Sequence, residues 1–325
     1  DDEIRANQLQ IDSAIESITR IANTTTFGGR KLLNGTLGYV TSGVNVTQIT
    51  DMRVNGVTFG TASYIPVTVA VTQSAQHGQL FFKASSITAA VTLELAGPSG
   101  VTTLPFLAGT KSSAIMAAVN LVSDATGISA SINANPLSGI VLSSQEFGSD
   151  AFVQVSEFGT TPNVLNTVNA ASASVKRDLG RDAAATINGA NALGKGLDIF
   201  LNTTGLSVEL RLQNSFNTAG STAFTITGGG AVFQLGPGVD TNQQVNFGVQ
   251  STAASRLGNG SLGYLSQVAS GGDYSLTNGR ADQAALIIAE SIRQVSVLRG
   301  RLGAFEKNTT DTTVPQPTLT LENLT

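Results

Sequence analysis

Two periodicities divide this chain. Near the start, Ile4, Ile11 and Ile18 recur every seven residues, and Ile15 and Ala22 fill the stripe between them. Steps of four, three and four from Ile11 place these side chains on one side of an α-helix and make a helix–helix seam. Asp12, Glu16 and Arg20 fall four apart on another face. The Glu16–Arg20 pair has the favourable order and contributes about 0.3 kcal/mol. Thr24 to Gly29 is turn chemistry, which predicts the helix end near Asn23. The same pattern returns at the far end, where Ala285, Ile288, Ile292, Val295, Leu298, Leu302 and Phe305 step by three or four. This predicts a second helix from Ala281 toward Asn308. Gly300 and Gly303 sit inside it, each costing about 1 kcal/mol relative to Ala. They imply either a neighbouring helix at close approach or a weakened helix end. Pro315 and Pro317 then break the helix. Leu319 to Thr325 is a short apolar–polar stretch without an assigned element.

Between the helical ends the period falls to two. Val67–Val71, Leu80–Phe82, Val91–Leu95, Ile140–Leu142, Phe152–Val155, Leu206–Leu212 and Phe224–Thr227 are β-branched or alternating, bounded by Gly, Pro, Asn or Ser. One helix interrupts them, Ser112 to Thr126, with Ile115, Ala118, Val119 and Val122 on one face and Gly127 as the residue that ends it. Gly228-Gly229-Gly230 and Gly236-Pro237-Gly238 punctuate the end of this region. A short echo flanks it: Asn34-Gly35-Thr36-Leu37-Gly38-Tyr39 matches Asn259-Gly260-Ser261-Leu262-Gly263-Tyr264. These read as paired turns where the chain leaves and re-enters a helical stem. The expected fold is α+β and multidomain: a helical stem made from both chain ends plus an inserted β-rich head with one short helix. The expected boundaries are 1–60 and 240–325 for the stem with its adjoining hairpin and turn segments. An outer β-rich domain is expected over 61–170 with helix 112–126, and a second outer subdomain over 171–239, the two dividing near Asn166 to Arg181.

Composition narrows the function classes. Hydrophobic residues make up 41% of the 325, enough for a folded core, while charged residues make up only 12%, about half the usual share. With 35 Gly and abundant Thr, Ser and Asn, the surface is neutral and hydroxyl-rich. A net charge of −4 leaves no basic footprint for nucleic acid or anionic lipid. No run of about 20 apolar residues is present to span a membrane. There is no Cys, which suits a chain that is exported unfolded and assembles without redox help. Asp1-Asp2-Glu3 is not a signal peptide, and the opening in mid-helix without Met reads as a trimmed sequence.

The two ends resemble bacterial flagellin. At the N-terminal side the resemblance runs from Ile11-Asp12 through Arg20-Ile21-Ala22-Asn23, the Thr24-Thr25-Thr26-Phe27-Gly28-Gly29 turn and Arg30-Lys31-Leu32-Leu33-Asn34-Gly35. At the C-terminal side it runs from Ala289 to Asn308, centred on Val297-Leu298-Arg299-Gly300-Arg301-Leu302-Gly303-Ala304-Phe305. Together they cover about a fifth of the chain. In the middle, Ala117 to Ser131, with Thr186-Ile187-Asn188-Gly189 and Gly194-Lys195-Gly196, resembles the small repeat module of flagellins and hook-associated proteins. The resemblance departs at Val314-Pro315-Gln316-Pro317, where family members continue as helix. It implies long terminal helices beyond both matched segments, forming the inner tube of a filament.

Candidate chemistry is sparse. His77 is the single histidine, in a polar Ser74-Ala75-Gln76-His77-Gly78-Gln79 turn with no nucleophile elbow around it. One His and no Cys exclude ordinary zinc sites, and no Asp-x-Asp-x-Asp-Gly calcium loop is present. Gly258 to Gly263 fits G-x-G-x-x-G formally, but the Ser/Gly-rich stretch after it does not read as the required helix, so a turn is expected. Lys176, Arg177, Asp178, Arg181 and Asp182 form a charge cluster read as a solvated linker between head modules. No catalytic, cofactor or metal residue is assigned.

These readings converge on a structural subunit of the bacterial flagellar filament, secreted and extracellular, serving swimming motility. The alternatives are the hook–filament junction protein and a monomeric surface adhesin or glycan-binding protein on a flagellin stem. Stem packing is assigned to Ile11, Ile15 and Ile18 against Ile288, Ile292, Val295 and Leu302, and subunit contacts to Arg20, Arg299 and Arg301. The resemblance implies as partners other copies of the chain, an export chaperone and hook-associated proteins, and glycans on Ser/Thr of the head. It implies weak recognition by a flagellin-sensing Toll-like receptor, because that relies on stem sequence upstream of Asp1.

Overall fold

A computed structural model describes residues 2–133, 139–159, 161, 163–234 and 244–307. Gly236-Pro237-Gly238 and everything from Asn308 onward, including Pro315, Pro317 and Leu319 to Thr325, lie outside the described residues. The protein is mixed α+β and mostly β, with a long helix at either end of the described chain. It forms two compact units: Asp1–Thr68 with Phe200–Arg211 and Thr222–Thr325, and Val69–Ile199 with Leu212–Ser221.

In the first unit, α1 (Asp2–Thr24) ends where Thr24 and Thr25 hydroxyls donate back to the carbonyls of Arg20 and Ile21, both at 2.7 Å. The chain then reverses in a two-residue hairpin, Thr26↔Lys31 and Phe27↔Arg30, whose turn residues Gly28 and Gly29 both have positive φ, +57° and +79°. That turn type matches the twist of antiparallel strands and suits glycine. Strand Tyr39–Ser42 pairs with Thr225–Gly229, slipping by one residue between Ile226 and Gly228. The two echo segments adopt one local solution. Asn34 Oδ1 accepts the Thr36 N–H at 3.1 Å, and Asn259 Oδ1 accepts the Ser261 N–H at 3.0 Å, the Asx-turn that asparagine favours.

The second unit holds two four-stranded antiparallel sheets. One runs Thr167–Val168, Gln79–Phe82, Ile140–Ser144, Ile128–Ile132; the other Arg177–Leu179, Phe152–Phe158, Val91–Gly97, Gly100–Phe106. Val91–Gly97 alternates buried and half-buried along its whole length, so Val91, Leu93 and Leu95 point to one face. They meet Leu80, Phe82, Ile140 and Leu142 of the other sheet, with Ile115 and Val119 from a helix, in one apolar core. The helix expected over Ser112–Thr126 breaks into α2 (Ser112–Leu121) and α3 (Ser123–Thr126). At Val122 the backbone N–H bonds to Val119, three residues back, and leaves helical geometry. Gly127 closes α3 in the left-handed conformation with φ +70°.

The division expected between 170 and 171 does not separate the two units. Strands up to Ile199 stay with the second unit, while Phe200–Arg211 and Thr222 onward join the first. The charge cluster at Lys176 to Asp182 is likewise not a solvated linker. Arg177–Leu179 is the edge strand of a sheet, paired with Phe152–Gln154. Lys176 bridges the buried carboxylate of Glu157, and Asp178 accepts the Gln79 N–H at 2.9 Å. Asp182 accepts N–H groups of Ser149 and Gly196 at 2.9 and 2.7 Å.

Candidate functional site

The site with the most built-in structure is the α1–α4 seam of the first unit, where α4 spans Ala281–Phe305. Ile15 is buried in one apolar cluster with Ala254, Leu257, Leu265, Val268, Ala284 and Ile287, and Ile11, Ile18, Ile288 and Val295 pack against it. The first and last helices therefore share a core. Two of the residues assigned to the seam do not enter it: Ile292 is 61% exposed and Leu302 is 37% exposed. The reason is rotation. The inward positions of α4 are Ala284, Ile287, Ser291 and Gln294, about 100° from the stripe that hydrophobic spacing selects. Gly300 and Gly303 have no atom within 4 Å of an added Cβ, so among the described residues no neighbouring helix approaches there.

The inward stripe includes polar residues because each has a partner. Ser291 Oγ donates to the Ile287 carbonyl at 2.7 Å. Gln294 pairs with both backbone groups of Gly258, donating to its carbonyl at 2.8 Å and accepting its N–H at 3.0 Å. This gives the G-x-G-x-x-G segment its structural role. Gly258-Asn259 and Gly263-Tyr264 form a two-stranded turn pinned to α4. On α1 the buried residues are Gln8, Ile15 and Ala22, again seven apart. Gln8 donates to the Val268 carbonyl and to Asp12 at 2.9 Å each and accepts the Leu276 N–H at 2.8 Å. Asp12 continues the clip by accepting the Ser270 N–H at 2.8 Å. The Ser270 hydroxyl bond leads in holding the Asp12 carboxyl below its ordinary range, against a small opposing effect of burial. Gln8, Ser291 and Gln294 were missed because polar residues carry no weight in a hydrophobic period. The one signal was the seven-residue register linking Gln8 to Ile15.

Beside the seam lies an arginine-rich cleft. Arg53 pairs with Asp51 at 3.3 Å and donates to the Gly258 carbonyl at 3.0 Å. Arg293 pairs with Glu290 at 2.8 Å and Glu209 at 3.2 Å. Burial alone pushes the Glu290 carboxyl up, but hydrogen bonds from Arg293 and Gln294 and the nearby cations overcome it and hold the group below its ordinary range. Arg301, assigned to subunit contacts, is instead committed to its own chain. Its guanidinium donates to Asn55 Oδ1 at 2.6 Å and to the Asn55 carbonyl at 2.7 Å, and it lies 5.2 Å from the Phe247 ring centroid. Arg20 and Arg299 are exposed. In the second unit His77 is half-buried, with Nδ1 3.0 Å from the Glu146 carbonyl and its ring 3.7 Å from that of Phe147.

Among the described residues no group of acids and histidine is arranged to hold a metal, and no helix is long and apolar enough to cross a membrane. Residues 92–146 match the flagellin hook IN motif. That stretch supplies part of the core of the second unit, including Leu93, Leu95, Ile115, Val119, Ile128, Ile140 and Leu142. No curated protein matches the chain. Among solved structures, the flagellar cap protein FliD D1-D2-D3 domains from Escherichia coli are similar at 19% identity and a TM-score of 0.40, over 67% of this chain and 64% of that one. The FliD D2-D3 domains from Serratia marcescens are similar at 17% identity and 0.37, over 54% and 99%. FliD from Bdellovibrio bacteriovorus is similar at 11% identity and 0.38, over 58% and 100%. The chain thus spans less than two thirds of the first of these.

Proposed function

We propose that this protein is a structural subunit of the extracellular bacterial flagellum, of the filament type, assembling with copies of itself through α1 and α4. The observation that carries the reading is the shared apolar cluster of the first and last helices, Ile15 with Ala284 and Ile287. It brings the two flagellin-like ends of the chain into one packing unit. The flagellin hook IN motif at residues 92–146 supports it independently. Outside the seam, Ile4, Leu9 and Ile21 of α1 and Leu286, Ile292, Val297 and Leu302 of α4 are exposed. On this reading they are covered when subunits pack, and Arg20 and Arg299 lie among the contacts. Export chaperones, hook-associated proteins and Ser/Thr glycans belong to the same proposal.

The test is seeded polymerisation followed by electron microscopy, on the protein expressed with any residues its gene encodes beyond Asp1 and Thr325. Elongation of filament seeds is expected. Binding confined to the ends of filaments or hooks moves the role to a junction or cap protein. Soluble monomer that does neither, but binds polysaccharide saturably, sinks the reading in favour of an adhesin.

A further inference from the structure

The arginine cleft carries an inference that is independent of the assembly reading. The residues lining a cavity of about 50 Å³ include four arginines, Arg53, Arg256, Arg293 and Arg301, and one acid, Glu209. This concentration stands out in a chain of 325 residues with 18 Lys and Arg in all and a net charge of −4. Two of the four are neutralised. Arg53 faces Asp51, and Arg293 holds both Glu209 and Glu290. The other two have no carboxylate partner among the described residues. Among the described residues Arg301 donates to the neutral oxygens of Asn55 alone, and the Arg256 side chain has no partner, its backbone N–H bonding the Ala253 carbonyl at 2.8 Å.

We propose that this cavity is an oxyanion-binding site, taking a carboxylate, sulfate or phosphate group between Arg256 and Arg301. A guanidinium presents N–H donors in a planar fork that matches two oxygens of such a group. Stacking against Phe247 holds the Arg301 fork in place. Glu209 also lines the cavity; it pairs with Arg293 at 3.2 Å, and its charge reaches Arg301 without a direct ion pair. The volume admits a group of a few heavy atoms, such as a small ion or the tip of one acidic side chain. Burial lowers the proton affinity of Arg301 and outweighs the opposing attraction of Glu209 and Tyr39. The same chemistry has two sources, a free ion and a carboxylate of a second copy of the chain.

Thermal unfolding separates them. Saturating sodium sulfate, phosphate or acetate is compared with sodium chloride at matched ionic strength. A specific rise in Tm of about 2 °C or more is expected for at least one oxyanion. It should disappear in Arg256→Gln, an exposed substitution that leaves the fold intact, and return in part in Arg256→Lys. If the occupant is a second copy, Tm in chloride rises with protein concentration and the dependence vanishes in Arg256→Gln. A free ion gives no such dependence. Two results overturn the site: oxyanion shifts no larger than those in chloride together with no concentration dependence of Tm that Arg256→Gln removes, or an oxyanion shift as large in Arg256→Gln as in the parent. Neither depends on whether the protein forms filaments.

Discussion

The two units bury their interiors in opposite ways. The second has an apolar core drawn from two sheets and a helix, with Leu93, Leu95, Leu80, Leu142 and Ile115 all at 0–1% exposure. The first has a smaller cluster under its helix pair, closed by polar groups: Gln8 at 2%, Ser291 at 4% and Gln294 at 8% exposure. A core of alternating Val, Leu and Ile is held by transfer free energy and close packing, which tolerate no missing volume. A seam built on Gln8 and Gln294 is held by a few directional bonds, each with a modest net contribution and a large cost when one partner is left unpaired. The first unit leaves exposed aliphatic residues along its two long helices, whereas those of the second, such as Val101, Leu107, Leu179 and Leu193, lie mostly on strands and loops.

Substitutions can break this comparison. The largest effect is expected from Ile287→Asp, which puts a charge at a position with 0% exposure in the helix seam and should cost about 4 kcal/mol or more. Denaturant titration followed by circular dichroism would measure it, and an unchanged midpoint would remove Ile287 from the seam. Leu93→Ala should cost about 3 kcal/mol through lost burial and a cavity. Its effect should appear in hydrogen-exchange protection of Val91–Gly97 and its neighbours, with the α1–α4 amides little changed. Gln294→Leu should cost about 2 kcal/mol by stranding both backbone groups of Gly258, sharpening the claim that the first unit depends on polar clips.

Acid should act more gently and on both units. Asp12, Asp182 and Glu290 all have folded-state values below their ordinary ones. For Asp182, burial is the largest effect and opposes the shift, but hydrogen bonds from Gly196 and Ser149 and the charge of Lys195 outweigh it. A carboxylate with a lowered folded value binds more protons when unfolded. Its stabilisation is therefore present above the unfolded value, near pH 4, and is lost as pH falls through the folded value. Tm should be flat from neutrality down to about pH 5 and drop below about pH 4. A drop centred near neutrality would contradict the assignment. The smallest effect on the monomer is expected from Ile292→Asp, within about 0.5 kcal/mol because the side chain is exposed. On the proposed function the same variant should stop seeded elongation, so a stable monomer that still elongates would take Ile292 out of the assembly surface.

Much of this architecture was legible beforehand where one period dominated. Each strand from Val67–Val71 to Phe224–Thr227 lies within an observed strand, and the Asn34 and Asn259 echoes fold as the same Asx-turn. In α4 the pattern misled. Ile292 and Leu302 complete an apolar spacing, yet the inward face runs through Ser291 and Gln294. Arg301 read as a surface cation and is bound to Asn55, some 246 residues away in sequence.

The sequence by itself determined the two long terminal helices, the strands with clear alternation and the paired Asx-turns, because alternation, turn chemistry and heptad spacing act over a few residues. Only the tertiary structure decided the rotation of α4, the burial of Gln8 and Gln294 and the gathering of four arginines around one cavity. The reason is that a polar side chain is stable inside only when a specific distant backbone group meets it. Local spacing carries no information about Val268, Leu276 or Gly258 being within hydrogen-bonding reach.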